Sequence, residues 1–323
     1  MTVAVTGAAG YIGSHIAHLL AGAGIHVLAV DDMTAGLGTR IAQFPLVQID
    51  LARDEAPGVL RAAFAQHQVR AVIHLAARKA VGESVEQPMR YYHQNVGGLA
   101  NVLTAMQQSG VDRLVFSSSA ATYGMPDVET VSEDLRCEPI NPYGETKLVG
   151  EWLVRAATRS SDLRAVNLRY FNVAGAARPE LADTAVANLV PILLRRVAEG
   201  VPAAVFGDDY PTPDGTCVRD YVHVADLAEA HVRALTYLER DGRPFDVFNV
   251  GTGTGASVLD VVRSLSRALG REVPTVIEPR RAGDPPRLVA SVERISEVLG
   301  WHATRDLDEI SRSAVAAADP LTH

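Results

Sequence analysis

The chain is short of several things, and each shortage removes a class of function. Two cysteines, Cys137 and Cys217, stand in 323 residues. They are too few for a disulfide framework and lack the close spacing of a metal site. That usage fits a reducing, cytoplasmic compartment. The first apolar strand begins at residue 2, so no signal peptide is expected ahead of it. No apolar run approaches the roughly 20 residues that cross a bilayer, so no membrane partner is expected. Basic runs are missing too: 30 Lys and Arg face 38 Asp and Glu, a net charge of −8, which argues against nucleic acid as a partner. The histidines are scattered; His15, His18, His223 and His231 read as packing or helix-surface residues, and no metal is expected. Repeats and low-complexity tracts are absent.

Apolar residues are plentiful, at 47%, enough for the core of one large or two modest domains. Thr2–Thr6 is a short β-branched run that reads as a buried strand. It enters Gly7-Ala8-Ala9-Gly10-Tyr11-Ile12-Gly13 and then an amphipathic helix. In this strand–turn–helix context the three glycines suit a tight turn, a close approach to pyrophosphate and close helix–strand packing. A second strand over 26–30 ends at Asp31, placed to bind ribose hydroxyls and to repel a 2′-phosphate; this favours NAD over NADP. Leu46–Ile49 reads as a third strand closed by Asp50-Leu51, a plausible adenine contact. Strands over 71–75, 113–117 and 163–168 alternate with helices, one near 94–109. The pattern is α/β: a Rossmann-like, doubly wound parallel sheet. After about residue 170, Pro- and Gly-rich loops suggest a smaller C-terminal substrate-binding lobe. The division expected is an NAD-binding domain over 1–170, with some later segments returning to it, and mainly a substrate-binding lobe over 171–323, with a cleft between them.

Tyr143 and Lys147 stand four residues apart at the head of a helical run, so they share one face. A phenol has a pKa of about 10. A fixed cation nearby is expected to bring it toward the working range and make it a base for a sugar hydroxyl.

Together the segments resemble the extended short-chain dehydrogenase/reductases and, within them, the UDP-glucose (UDP-galactose) 4-epimerases. The likeness runs over nearly the whole chain. It rests on Gly7 to Gly13, Lys79 to Ser84, Ser117 to Gly124, Asn141 to Lys147, Leu168 to Asn172, Val218 to Val224 and Arg280 to Asp284. The resemblance implies Tyr143 as base, Lys147 as its electrostatic partner and Ser119 as a bridge between Tyr143 and the sugar. It implies NAD held by Gly7, Gly10, Tyr11, Ile12, Gly13, Asp31, Asp50, Leu51, Leu75, Ala76, Ala77, Lys79, Asn95, Ser117, Tyr143, Lys147 and Tyr170. It implies a UDP-sugar partner met by Ser119, Tyr143, Asn172, Asn188, Leu189, Val205, Phe206, Arg219, Arg281, Asp284 and Leu288. Guanidinium groups at Arg219 and Arg281 suit a diphosphate.

Sister dehydratases carry an Asp-Glu pair where this chain has Ala120 and Ala121, and alanine moves no proton. Elimination therefore lacks its catalyst, and 4-epimerisation remains. The chain departs from the family pattern at Asp31-Asp32, in the short stretch 176–184, and at Arg287 and Leu288 by the sugar pocket. A 4-epimerase or 4-ketoreductase acting on another nucleotide sugar of secondary metabolism is the alternative. A homodimer is expected by family analogy, through helices near 94–109 and 143–158. Trp152, Leu153 and Ala156 face either a partner or the chain's own core.

Overall fold

Alternating apolar strands and amphipathic helices build the first layer. In the computed structural model, which describes residues 1–185, 188–240, 243–281 and 283–318, six strands open the fold: β1 (Thr2–Thr6), β2 (His26–Asp31), β3 (Leu46–Gln48), β4 (Val69–His74), β5 (Arg113–Ser119) and β6 (Arg164–Tyr170). With Phe245–Val250 they form a seven-stranded sheet in the order Phe245–Val250, β6, β5, β4, β1, β2, β3. The β1–β2, β1–β4, β2–β3 and β4–β5 pairs are parallel. This is the Rossmann arrangement expected. The strand order reverses between β1 and β4, and ligands of such sheets bind outside the carboxyl ends at that switch point.

The chain divides into two compact units. The first comprises Met1–Thr122, Cys137–Arg169 and Ala228–Phe248; the second comprises Tyr123–Arg136, Tyr170–Leu227 and the chain from Asn249 on. The first buries Leu28, Val30, Leu60, Phe64, Val72, Leu99, Met106, Leu114, Phe116 and Val154 in one cluster. In the second, Val218–His223 is the central strand, flanked by Gly255–Ser257 and Arg287–Leu288 and also paired with Asn172–Ala174. Ala203–Phe206 lies parallel to Thr275–Glu278. Val190, Leu193, Val261, Leu265, Ile310 and Val315 fill the core of this unit. The helix Val258–Leu269 is opened by a reciprocal cap between Ser257 and Asp260.

One expected helix differs. The run near 94–109 is an α-helix only over Gly98–Ser109; Tyr92–Gly97 before it is a π-helical turn. Such insertions cluster at functional sites, and this one carries Asn95.

Candidate active site

The helix Tyr11–Gly22 follows directly from the glycine loop. Gly10 is its N-cap, with no side-chain cap and no acid in the first turn, so no carboxylate of the helix itself neutralises its N-terminal partial charge. A Cβ on Gly13 would stand 2.1 Å from the Gly7 carbonyl oxygen; only glycine lets the helix meet the strand end this closely. Asp31 accepts from the Ala9 N–H through Oδ2 and from the Met33 N–H through Oδ1, both at 2.9 Å. Burial pushes its pKa up, and the backbone hydrogen bonds oppose this. Each carboxylate oxygen retains a further lone pair. An open helix N-terminus beside an acid at the end of β2 fits a dinucleotide with a free ribose 2′-hydroxyl.

Asn141 and Pro142 set where the helix that carries Tyr143 and Lys147 begins. The Asn141 side chain caps the Gly144 N–H at 2.9 Å, and Pro142 occupies the first turn of the helix Pro142–Ser160, where its missing N–H costs nothing. Tyr143 and Lys147 then lie on the first two turns. A Cβ at Gly144 would reach within 2.5 Å of the Ala121 carbonyl oxygen. Glycine there lets the helix press onto the 120–123 turn and brings Tyr143 to Ser119. The Ser119 hydroxyl accepts from the Ala121 N–H at 3.1 Å, and its nearness to the Tyr143 phenol favours the phenolate. Lys147 Nζ donates to the Ser117 carbonyl at 2.8 Å. It lies 5.3 Å from the Phe116 ring centroid and 6.0 Å from that of Tyr143. All three side chains are buried.

The electrostatics correct one expectation. Burial raises the Tyr143 pKa, and the opposing influence is the Ser119 hydroxyl rather than Lys147. The ammonium donates to the Ser117 carbonyl, and desolvation disfavours the phenolate. Lys147 is itself drawn down to about 8 by burial. Behind it, His74 is lowered to about 3 by burial and by the Lys147 charge. Its Nδ1 lies 2.8 Å from Thr6 Oγ1, and its ring stacks on Phe116 at 6.0 Å.

The remaining dinucleotide candidates divide into engaged and open groups. Asn95 is buried, with Oδ1 accepting from the Arg78 N–H at 2.8 Å and Nδ2 donating to the Arg78 carbonyl and Thr146 Oγ1. The π-turn aims it there, so its amide fixes the loop after β4. Asp50 accepts from Ala52 N–H and Gln94 Nε2. The Ser117 hydroxyl is 3.1 Å from His231 Nε2. Tyr11 and Leu51 are buried; Gly10, Ile12, Leu75, Ala76, Ala77 and Tyr170 are half-buried, as is Gly7; Lys79 is exposed.

In the second unit, Arg219 and Asp284 approach to 3.4 Å, and Leu288 stands opposite Arg219 in the strand register. Arg281 lies over the Phe206 ring at 3.7 Å. Asn172 stands opposite Tyr221 in the strand register, and Asn188 Nδ2 donates to Asp183 at 2.8 Å at the head of the helix Leu189–Ala198. Val205 is wholly buried, so its side chain serves the core. Arg287 donates to the Glu129 carbonyl at 2.9 Å. Ala282, within the Arg280 to Asp284 segment, lies outside the described residues.

Sequence reasoning passed over Glu151, Ser118, Arg169 and His74. Glu151 had a signal available: it is four residues beyond Lys147 and eight beyond Tyr143, on the same helix face. Arg169 grips it through Nε–Oε1 at 2.8 Å and Nη2–Oε2 at 2.6 Å. No group of three or more His, Cys, Asp or Glu that could hold a metal occurs among the described residues, and none of their helices is long and apolar enough to cross a membrane.

A Rossmann sheet with this Ser–Tyr–Lys cluster defines a short-chain dehydrogenase/reductase type of site. Residues 3–251 match the model of the NAD dependent epimerase/dehydratase family, and the chain belongs to that family. It is 46% identical to a UDP-glucose 4-epimerase of Azospirillum brasilense over 97% of this chain and 91% of that protein. Among solved structures, a UDP-glucose 4-epimerase from Stenotrophomonas maltophila with bound NAD and formylated UDP-arabinopyranose superposes with a TM-score of 0.93 at 39% identity, covering 98% and 97% of the two chains. A UDP-glucose 4-epimerase from Brucella ovis in complex with NAD gives 0.92 at 41% identity, with the same coverage.

Proposed function

We propose that this protein is an NAD-dependent 4-epimerase that interconverts UDP-galactose and UDP-glucose through a transient 4-keto sugar. The observation that carries this reading is the buried Ser119–Tyr143–Lys147 cluster beside Ala120 and Ala121. It contains a proton acceptor for a sugar hydroxyl and nothing beside it to drive elimination.

Tyr143 takes the proton of the 4-hydroxyl, directly or through the Ser119 hydroxyl. NAD, when bound, would supply a reversible hydride acceptor for carbon 4, so that the hydride could return to the opposite face of the turned sugar. Lys147 keeps a positive charge beside the phenol below about pH 8, and Ser119 offsets part of the burial that disfavours phenolate. The glycine loop, the N-terminus of the helix Tyr11–Gly22 and Asp31 hold the dinucleotide in the first unit. Arg219, Arg281, Asn172 and Asn188 hold the UDP part in the second. Anchoring the diphosphate away from carbon 4 leaves the keto sugar free to turn, with binding energy remote from the reacting atom.

The protein acts as a homodimer. Supporting this, Val85, Met89 and Trp152 are 62%, 73% and 60% exposed on helices of the first unit; Leu153 instead packs on the core. Light scattering at twice the 34.5 kDa chain mass checks the assembly. Neither of its two cysteines is in a disulfide, which suits the cytoplasm.

The function is tested by incubating the purified chain with UDP-galactose and no added NAD. Appearance of UDP-glucose supports both the activity and a resident cofactor. Absence of conversion, with NAD shown to be bound, refutes the hexose assignment and moves the substrate to another nucleotide sugar.

A further inference from the structure

Three residues on one face of the helix Pro142–Ser160 reach three consecutive residues of β5. Tyr143 stands near enough to Ser119 for the serine hydroxyl to favour the phenolate, Lys147 donates to the Ser117 carbonyl, and Glu151 accepts from the Ser118 hydroxyl at 2.5 Å. The spacing i, i+4, i+8 places all three in a row. The first two contacts involve groups whose protonation matters to turnover; the third does not. Ser118 donates to a carboxylate, a charge-assisted bond stronger than a neutral one. Arg169 forks both carboxylate oxygens, and the Glu151 and Arg169 side chains are only 5% and 7% exposed. The fork fixes the plane of the carboxylate and leaves Oε1 shared between Arg169 Nε and Ser118.

We propose that Glu151 is a positioning residue for the reaction: by holding Ser118 it sets the register between the end of β5 and the catalytic helix, and so keeps Ser119 on the phenol and the Ser117 carbonyl on the ammonium. This rests on the epimerase reading above. Without the Ser118 contact the strand end is free to slide along the helix. A displacement of about 1 Å at a reacting group costs on the order of 100-fold in rate. The Ser117 hydroxyl at His231 is a further tether on the same strand end, so the loss is partial rather than complete.

The test uses the full chain carrying Ser118→Ala, Ser118→Thr, Glu151→Gln and the Ser118→Ala/Glu151→Gln pair. Ser118→Ala removes the hydroxyl and leaves the Glu151–Arg169 pair whole, so it remains informative if Glu151→Gln fails to fold. The expected result is a fall in kcat of about tenfold, with KM and bound NAD within about twofold of wild type. Ser118→Thr restores kcat, because the hydroxyl is retained. The double variant is no slower than Glu151→Gln, because both changes break one contact. The acid limb of the kcat–pH profile moves upward, because Tyr143 loses the neighbouring hydroxyl that favours its phenolate. Wild-type kcat and an unchanged profile in Ser118→Ala overturn the proposal.

A wild-type protein inactive on UDP-galactose would count against the epimerase reading alone. The positioning role is then read by ultraviolet phenolate titration, as wild type minus Tyr143→Phe against Ser118→Ala minus Ser118→Ala/Tyr143→Phe. An upward shift of the Tyr143 curve supports it, and superimposable curves overturn it.

Discussion

The two units present their candidate residues in opposite ways. In the first, Ser119, Tyr143, Lys147 and Asn95 are buried, and each is tied by hydrogen bonds to neighbouring backbone or side chains. In the second, Asn172 and Arg281 are exposed, Asn188, Arg219, Asp284 and Leu288 are half-buried, and the contact between Arg219 and Asp284 is a loose 3.4 Å. Proton and hydride chemistry demands fixed geometry, and the first unit has it before any ligand arrives. Gripping a nucleotide demands accessible donors, which must stay open until it binds. Under the proposed function, the reaction type belongs to the buried cluster of the first unit and substrate choice to the open residues of the second.

That contrast breaks most visibly at Tyr143. Tyr143→Phe should cut kcat by about 1,000-fold with folding and NAD content intact, because it deletes only the proton acceptor; near-normal turnover would remove the assigned base. In the open unit the loss should take another form. Arg219→Ala should raise KM for UDP-galactose by about 10- to 100-fold, the worth of a hydrogen bond to a charged group, while kcat changes by less than about threefold. A kcat-only effect would place Arg219 in the chemistry instead.

A subtler difference concerns stability. Lys147 titrates at about 8 in the fold against 10.5 as a free side chain. The unfolded chain therefore binds more protons between these values, and stability from this group rises with pH across that window. Denaturant unfolding of wild type and Lys147→Met should show wild type gaining on the variant from pH 8 to 10.5. A parallel pair of curves would mean that the ammonium is better solvated than its burial implies. Turnover and NAD retention should both fall in the same variant.

A second pH-linked effect lies at His74, which titrates at about 3 rather than 6.5. Its contribution is present above pH 6.5 and lost as pH falls toward 3, where the unfolded imidazole takes up a proton that the folded one refuses. His74→Asn should lose stability less steeply than wild type over that range, as followed by circular dichroism.

Much of the first unit is legible in residue order. The β-branched run before Gly7, the glycines and the acid at the end of β2 together define a strand–turn–helix–strand unit. Asn141-Pro142 marks where the helix that carries Tyr143 and Lys147 starts. The π-turn at Tyr92–Gly97 is not legible, because one extra residue per turn leaves no mark in composition. Nor is the raised Tyr143 pKa, since spacing predicts a neighbouring charge but says nothing of desolvation. The Ser118–Glu151–Arg169 cluster arises from β5, β6 and a helix meeting in space. In the second unit, Leu288 and Arg219 come together only through a two-residue strand, Arg287–Leu288, too short for any periodicity to announce.

The most direct measurement is to supply UDP-galactose deuterated at carbon 4, in ordinary water and without added NAD, and to follow the label in the product. Hydride leaving and returning within one site predicts UDP-glucose that keeps its deuterium at carbon 4, formed more slowly than from unlabelled substrate. Washout of the label into solvent would mean that carbon 4 is inverted through a proton, and would contradict the mechanism built on Tyr143 and a resident dinucleotide.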